Sequence, residues 1–198
     1  VKGNSMKKIE EVTLLYEISV ALNAHLDLRK SLYRVLEILS NSMNMVRGTI
    51  TLLDPLKNEI NIEVAHGLSK ITGRVFQTGK VLTIPKISQE PLFLNRTASR
   101  RRKMDQEMSF ICAPIKKRNQ VIGAFSVDKP YDETYDLKEG EKLMTVIATM
   151  LARHVINLET IRMEKDHLRE ENKRLRGELE NKYRVTDIIG NSNKMREV

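Results

Sequence analysis

Cysteine occurs once in this 198-residue chain, as Cys112, and tryptophan does not occur. A lone thiol rules out an internal disulfide framework and fits a reducing cytoplasm. No apolar run approaches the ~18 residues that a membrane span needs, and no charged-then-apolar leader opens the chain. Val1 to Ser5 precede the first Met and read as an expression scar. Histidine is scarce too: His25, His66, His154 and His167 stand far apart, and with Cys112 they show no metal-ligand spacing. The stretch Gly73 to Lys80 comes near a phosphate-binding loop and fails twice. Its glycines are too far apart, and Val81 stands where a Ser or Thr would hold magnesium. Asp132, Glu133 and Asp136 beside Pro130 and Tyr131 read as a solvated loop, and nothing assembles a nucleophile, a base and an oxyanion donor. These absences point away from an enzyme.

What remains is ordinary in bulk, with 40% hydrophobic and 30% charged residues, but the net charge of +8 is unevenly spread. Arg96, Arg100, Arg101, Arg102, Lys103, Lys116, Lys117 and Arg118 face only Asp105 and Glu107 in the same stretch. Such a segment either attracts nucleic acid or an anionic ligand, or is a solvated helix and strand end.

The hydrophobic period divides the chain. Ile9, Val12, Leu15, Ile18 and Leu22 recur at helical spacing between Met6 and His25. Asp27 is placed to cap a second helix with Leu28, Leu32, Val35, Leu36, Leu39 and Met43 on one face. The period then drops to two. Thr49 to Asp54 predicts a strand, Asp54-Pro55 a turn, and Ile60, Ile62 and Val64 a return strand. Thr72 to Thr78 predicts a helical turn or two stopped by Gly79. Val81 to Ile84 predicts a short strand that Pro85 ends. After an irregular stretch from Ile84 to Asp105, Met108 to Ile115 and Gln120 to Val127 predict strands joined by a tight turn through Lys117-Arg118-Asn119. From Leu137 onward the pattern is helical. This order predicts an α+β fold, an antiparallel sheet with the terminal helices on one face. A pocket would lie on the other face, under the irregular segment.

The final helix carries a seven-residue repeat from Ile147 to Leu179. Leu151, Leu158, Lys165, Asn172 and Leu179 take the a positions, and His154, Ile161, Leu168 and Leu175 take d. Position g reads Glu164, Glu171, Glu178 and position e reads Arg162, Arg169, Arg176. In a parallel pair Glu164 meets Arg169 of the other chain and Glu171 meets Arg176, while Asn172 at a favours a two-stranded state. The repeat predicts a parallel homodimer through a coil whose polar His154, Lys165 and Asn172 keep it marginal.

Several segments together resemble a GAF sensory domain. They are Ile71-Thr72-Gly73-Arg74-Val75-Phe76-Gln77-Thr78-Gly79, Ser109-Phe110-Ile111-Cys112-Ala113-Pro114-Ile115 and Val121-Ile122-Gly123-Ala124-Phe125-Ser126-Val127-Asp128. The match is specifically to the GAF domain of NifA-type activators of sigma-54 RNA polymerase. The tail Ile188-Ile189-Gly190-Asn191-Ser192 followed by Met195 is similar to the opening of the AAA+ ATPase domain of those activators. One departure stands out: after His66-Gly67-Leu68 only Ser69 and Lys70 precede the Ile-Thr-Gly segment, where the family has a longer polar loop.

After the expression scar at 1–5, the resemblance implies three regions: a GAF domain over 6–146, a signalling helix and coil over 147–183, and the start of an ATPase domain over 184–198. It implies a cytoplasmic transcription activator of the nitrogen-fixation type, continuing into an ATP-binding, sigma-54-remodelling domain and a DNA-binding domain for enhancer sites. The effector would be a small molecule such as 2-oxoglutarate or a cyclic nucleotide, haem or a tetrapyrrole as in other GAF domains, or a nitrogen-status regulatory protein. Arg74 and Arg96 are the candidates for pairing with an anionic ligand, with Phe93, Phe110 and Cys112 lining the pocket. Two other readings stay open: a GAF surface that docks a protein and binds no small molecule, and a non-specific nucleic-acid-binding domain using Arg96 to Arg118.

Overall fold

The computed structural model describes residues 2–53, 60–63, 70–90 and 106–182. Several features predicted above lie outside them: the Asp54-Pro55 turn, Val64, Phe93, Arg96 with the basic run to Lys103, and the Ile188 to Met195 tail. The chain forms two compact units, Val1–Leu158 and Glu159–Val198.

Helix α1 spans Lys2–Asn23 and α2 spans Leu28–Ser42. Asp27 caps α2 as expected, its carboxylate accepting the Lys30 N–H at 3.1 Å. Strands β1 (Arg47–Leu53) and β2 (Ile60–Glu63) follow, then α3 (Lys70–Thr78) and β3 (Leu82–Ile84). Lys70 and Ile71 are consecutive in the first turn of α3. The helix stops where predicted, because Gly79 at φ +61° turns its N–H back to the Val75 carbonyl at 2.9 Å. A short 3-10 turn, Ile87–Gln89, has no counterpart in the sequence reading. Strands β4 (Met108–Lys117) and β5 (Gln120–Pro130) are longer than expected and meet at Arg118 and Asn119, with Arg118 at φ 57°. Helix α4 then runs from Leu137 to Lys182, begun by the Asp136 carboxylate accepting the Lys138 N–H at 2.8 Å.

The five strands form one sheet in the order β2-β1-β5-β4-β3, every neighbouring pair antiparallel. Side chains alternate between the two faces of each strand. One face carries Ile50, Leu52, Ile111, Ala113, Ile115, Phe125 and Val127. They pack with Leu14, Ile18 and Leu22 of α1, Leu32, Val35, Ile38 and Leu39 of α2, and Met144, Ile147, Leu151 and Val155 of α4. The fold is therefore α+β with its terminal helices on one face of an antiparallel sheet, as the alternation predicts. Gly123 is required where β5 lies beside β1, since a Cβ there would sit 2.6 Å from the Thr51 carbonyl oxygen.

Two details depart from the sequence reading. Ile9 and Val12 are not on the buried face of α1: they are 63% and 66% exposed, and Leu14 and Ala21 are buried instead. Apolar residues surround this helix, so a three-or-four spacing alone selects no face. The core also takes in α4 as far as Val155. Ile147, Leu151 and His154, the first positions of the heptad repeat, are thereby buried within the single chain.

Candidate functional site

The opposite face of the sheet carries a second, smaller apolar layer. Ile84 of β3, Phe110 and Cys112 of β4 and Ala124 of β5 pack against Val75 of α3, with Phe76, Leu82 and Ile87 half-buried around them. The antiparallel registers Leu82↔Cys112 and Ile84↔Phe110 bring these side chains to one side. The layer is closed where it is best packed, with Val75 and Cys112 both at 0% exposure. Burial pushes the Cys112 thiol up to about 12, so it stays protonated and unreactive at neutral pH.

Of the residues proposed from sequence, Phe110 and Cys112 come together in this layer. Arg74 does not join them; its side chain is exposed on α3 beside buried Val75. The partners Phe93 and Arg96 lie outside the described residues. A polar strip continues the same face and went unread in the sequence. Register pairs Thr51 with Ala124, Thr49 with Ser126 and Arg47 with Asp128, so alternation places Thr49, Thr51, Ser126 and Asp128 beside the apolar layer. Thr51 and Asp128 are buried. The signal was present in Ala124-Phe125-Ser126-Val127-Asp128, whose alternate members are small or polar.

A clasp holds the 3-10 turn against this edge of the sheet. The Ser88 hydroxyl donates to Glu107 Oε2 at 2.5 Å, and the Ser88 and Met108 N–H groups reach Oε1 at 3.1 and 3.2 Å. Ser109 Oγ donates to the Pro85 carbonyl at 2.7 Å, and Lys86 Nζ lies 4.5 Å from the centre of the Tyr131 ring. The Ser88 hydroxyl bond above all holds the Glu107 carboxyl below its ordinary range; burial opposes it, and the Ser88 and Met108 amides and Lys86 assist.

These features have counterparts among known proteins. The GAF domain family matches residues 27–155. This chain belongs to the GAF domain family. That match covers α2 through the core-packed part of α4 and leaves α1 outside it. Nitrogen fixation protein VnfA of Azotobacter vinelandii is 35% identical over 205 residues, covering 96% of this chain and 39% of its own length. A Nif-specific regulatory protein of Herbaspirillum seropedicae is 31% identical over 202 residues, covering 95% and 37% respectively. The chain thus spans under half the length of these curated relatives. Among solved structures, the A. aeolicus nlh2 GAF domain in an inactive state has a TM-score of 0.62 at 24% identity, covering 75% of this chain and 96% of that one. That likeness speaks for the fold.

The second unit consists, among its described residues, of the outer part of α4. Ile161, Leu168, Leu175 and Leu179 are 47%, 63%, 45% and 54% exposed, and they fall on the a and d positions of the repeat. Leu158 is half-buried, while Lys165 and Asn172 are exposed between the leucines. Within the chain Arg162 and Arg169 both lean on Asp166, at 4.0 and 3.5 Å, and Arg174 holds Glu178 at 2.9 Å. Such solvated pairs contribute about 0.3–0.5 kcal/mol each. Among the described residues no helix is long and apolar enough to cross a membrane, and no cluster of His, Cys, Asp and Glu is arranged to hold a metal ion.

Proposed function

We propose that this chain is the sensing and dimerisation region of a cytoplasmic, sigma-54-dependent transcription activator of the nitrogen-fixation type. In this reading the GAF unit receives a signal, α4 pairs two copies in parallel, and the pairing controls an AAA+ ATPase that follows in the intact protein. The segment itself catalyses nothing; ATP hydrolysis, sigma-54 contact and enhancer binding belong to the continuation. The observation that carries the proposal is a GAF core whose last helix continues past Leu158 for about 24 residues, roughly 36 Å, with an apolar stripe that has no core of its own among the described residues. Similarity to Nif-specific regulatory proteins over 95% of the chain supports the biological setting.

The signal is read on the sheet face built from Val75, Ile84, Phe110, Cys112 and Ala124 with the polar strip beside it. An effector acts only through differential affinity for two arrangements of the paired domains. Calorimetric titration of the dimer with 2-oxoglutarate, cyclic AMP and cyclic GMP tests this. Saturable one-site heat with one of them supports a metabolite sensor. Flat traces favour the second reading, a GAF surface that docks a regulatory protein, which the closed packing at Val75 and Cys112 already supports.

A further inference from the structure

The end of the sheet where α3 stops is one-sided in charge. From Lys70 to Ile84 and from Cys112 to Ser126 the basic residues are Lys70, Arg74, Lys80, Lys116, Lys117 and Arg118, and neither stretch has an Asp or Glu. The fold brings the two stretches together. A Cβ at Gly79 would lie 3.4 and 3.5 Å from Cε and Nζ of Lys116, so the end of β4 rests against the end of α3. Thr78 Oγ1 accepts the Lys80 N–H at 3.3 Å and fixes the backbone of Lys80 at the same corner. Arg118, at φ 57°, stands in the β4–β5 turn, and Arg74 is exposed on α3. Arg74, Lys80, Lys116 and Arg118 are all exposed and form no ion pair among the described residues.

We infer that this corner is a binding surface for the phosphate backbone of double-stranded DNA, held without regard to base sequence. Composition chooses the partner. Among the described residues no large apolar side chain is exposed in either stretch, so the corner lacks the apolar or aromatic anchor around which a protein interface is built. It also lacks an exposed ring on which an unpaired base could stack, which sets single strands aside. The cations are accompanied by the exposed amides of Gln77, Asn119 and Gln120. Amide side chains with Lys and Arg are the groups that position a protein on phosphates. The contact therefore adds affinity and not specificity. This goes beyond the function proposed above, in which enhancer recognition belongs to the continuation. The sensory unit itself holds duplex DNA, whether or not α4 pairs.

The test titrates the full chain into two unrelated fluorophore-labelled duplexes and follows anisotropy over a range of salt. Four phosphate contacts give a slope of about −3.6 in log affinity against log salt. Binding then falls about 150-fold between about 50 and 200 mM salt, equally for both duplexes. An Arg74→Gln, Lys80→Gln, Arg118→Asn variant keeps its circular dichroism, since Asn tolerates the left-handed backbone at 118, and its slope drops to about −0.9. Lys116 is left in place because it packs against Gly79. The control Arg29→Gln, Lys30→Gln, Lys142→Gln removes the same charge from exposed sites on α2 and α4 and keeps the parent slope. If the control weakens binding as much as the corner variant, net charge alone attracts DNA and the inference falls. It falls too if the corner variant binds as the parent does, the loss appearing instead in Arg100→Gln, Arg101→Gln, Arg102→Gln. Polyglutamate bound more tightly than the duplex at equal charge would make the occupant an acidic protein and overturn the assignment to DNA.

Discussion

Leu151 and Leu168 occupy equivalent heptad ranks, a and d, yet they are in opposite situations. Leu151 has 0% exposure and packs in the core with Ile147, Ala148, Ala152 and Val155, whereas Leu168 is 63% exposed. Truncating a fully buried leucine to alanine costs about 3–4 kcal/mol, the transfer term plus the cavity. For a domain of this size that lowers the melting temperature by roughly 10 °C. Leu151→Ala should do so at any protein concentration, because its contacts lie within one chain. Leu168→Ala removes almost nothing from the single chain, and alanine is the better helix former. Its loss should appear only in the proposed pair, where two truncated leucines would cost about 3 kcal/mol and weaken association by roughly a hundredfold. Thermal melts at low and high protein concentration, with sedimentation velocity beside them, separate the two effects. Equal destabilisation by both variants at low concentration would refute this division of α4.

Three further outcomes follow from named groups. The buried His154 has no hydrogen-bond partner for Nε2 among the described residues, and burial lowers its pKa. Its unfolded form takes a proton first, so stability is complete above about pH 6.5 and is lost as pH falls toward the folded value. His154→Leu should raise the melting temperature at pH 6 more than at pH 8, as a scan in a series of buffers would show. Glu107 has the opposite dependence on charge: its folded pKa is lowered by Ser88, so its contribution is present above the ordinary carboxyl value and is lost as pH falls through the folded one. Glu107→Gln should therefore melt below the parent at pH 7, with the gap closing toward pH 3. Asn172→Leu should tighten association in sedimentation while admitting oligomers larger than two, since a polar a residue restricts the number of strands.

Strands, caps and stops were legible in the sequence because each follows from a local rule. Asp27 begins α2, Gly79 ends α3, and the alternation through Phe110 to Ile115 and Ala124 to Val127 sorts residues correctly between the two faces of the sheet. The face of α1 was not legible. Val12 and Leu14 are both apolar, and the choice between them is made by α2 and the sheet, not by the helix. Likewise the clasp from Glu107 to Ser88 joins residues nineteen apart in sequence through a turn that carries no strong turn signal. Arg74 was chosen for its charge, but its neighbour Val75 takes the inward direction and a helix cannot aim adjacent residues at one spot.

The overlap between core and heptad on α4 bears on how a signal would leave the GAF unit. The core uses Met144, Ile147, Ala148, Leu151, Ala152 and Val155, a broad face at the 3.6-residue period, while the seam follows a 3.5-residue period along its border. Ile147, Leu151 and His154 satisfy both patterns, so each is available to the coil only to the degree that it leaves the core. Leu151 is an expensive residue to release, given the cost of burial lost, but His154 is not: its Nε2 is unpartnered, so the core gains little by holding it. In the proposed pair the boundary between core and coil would therefore be set at the weakest shared position, His154. An effector that loosens the packing around His154 would lengthen the seam by a heptad rank, and one that tightens it would shorten the seam. The pH dependence of association should consequently differ between the parent and His154→Leu: a protonated His154 at d faces its counterpart in the proposed parallel pair, so the parent should pair more weakly as pH falls while His154→Leu does not. Sedimentation of both proteins across the histidine range measures this, and parallel pH profiles would show that the core and the coil do not exchange residues.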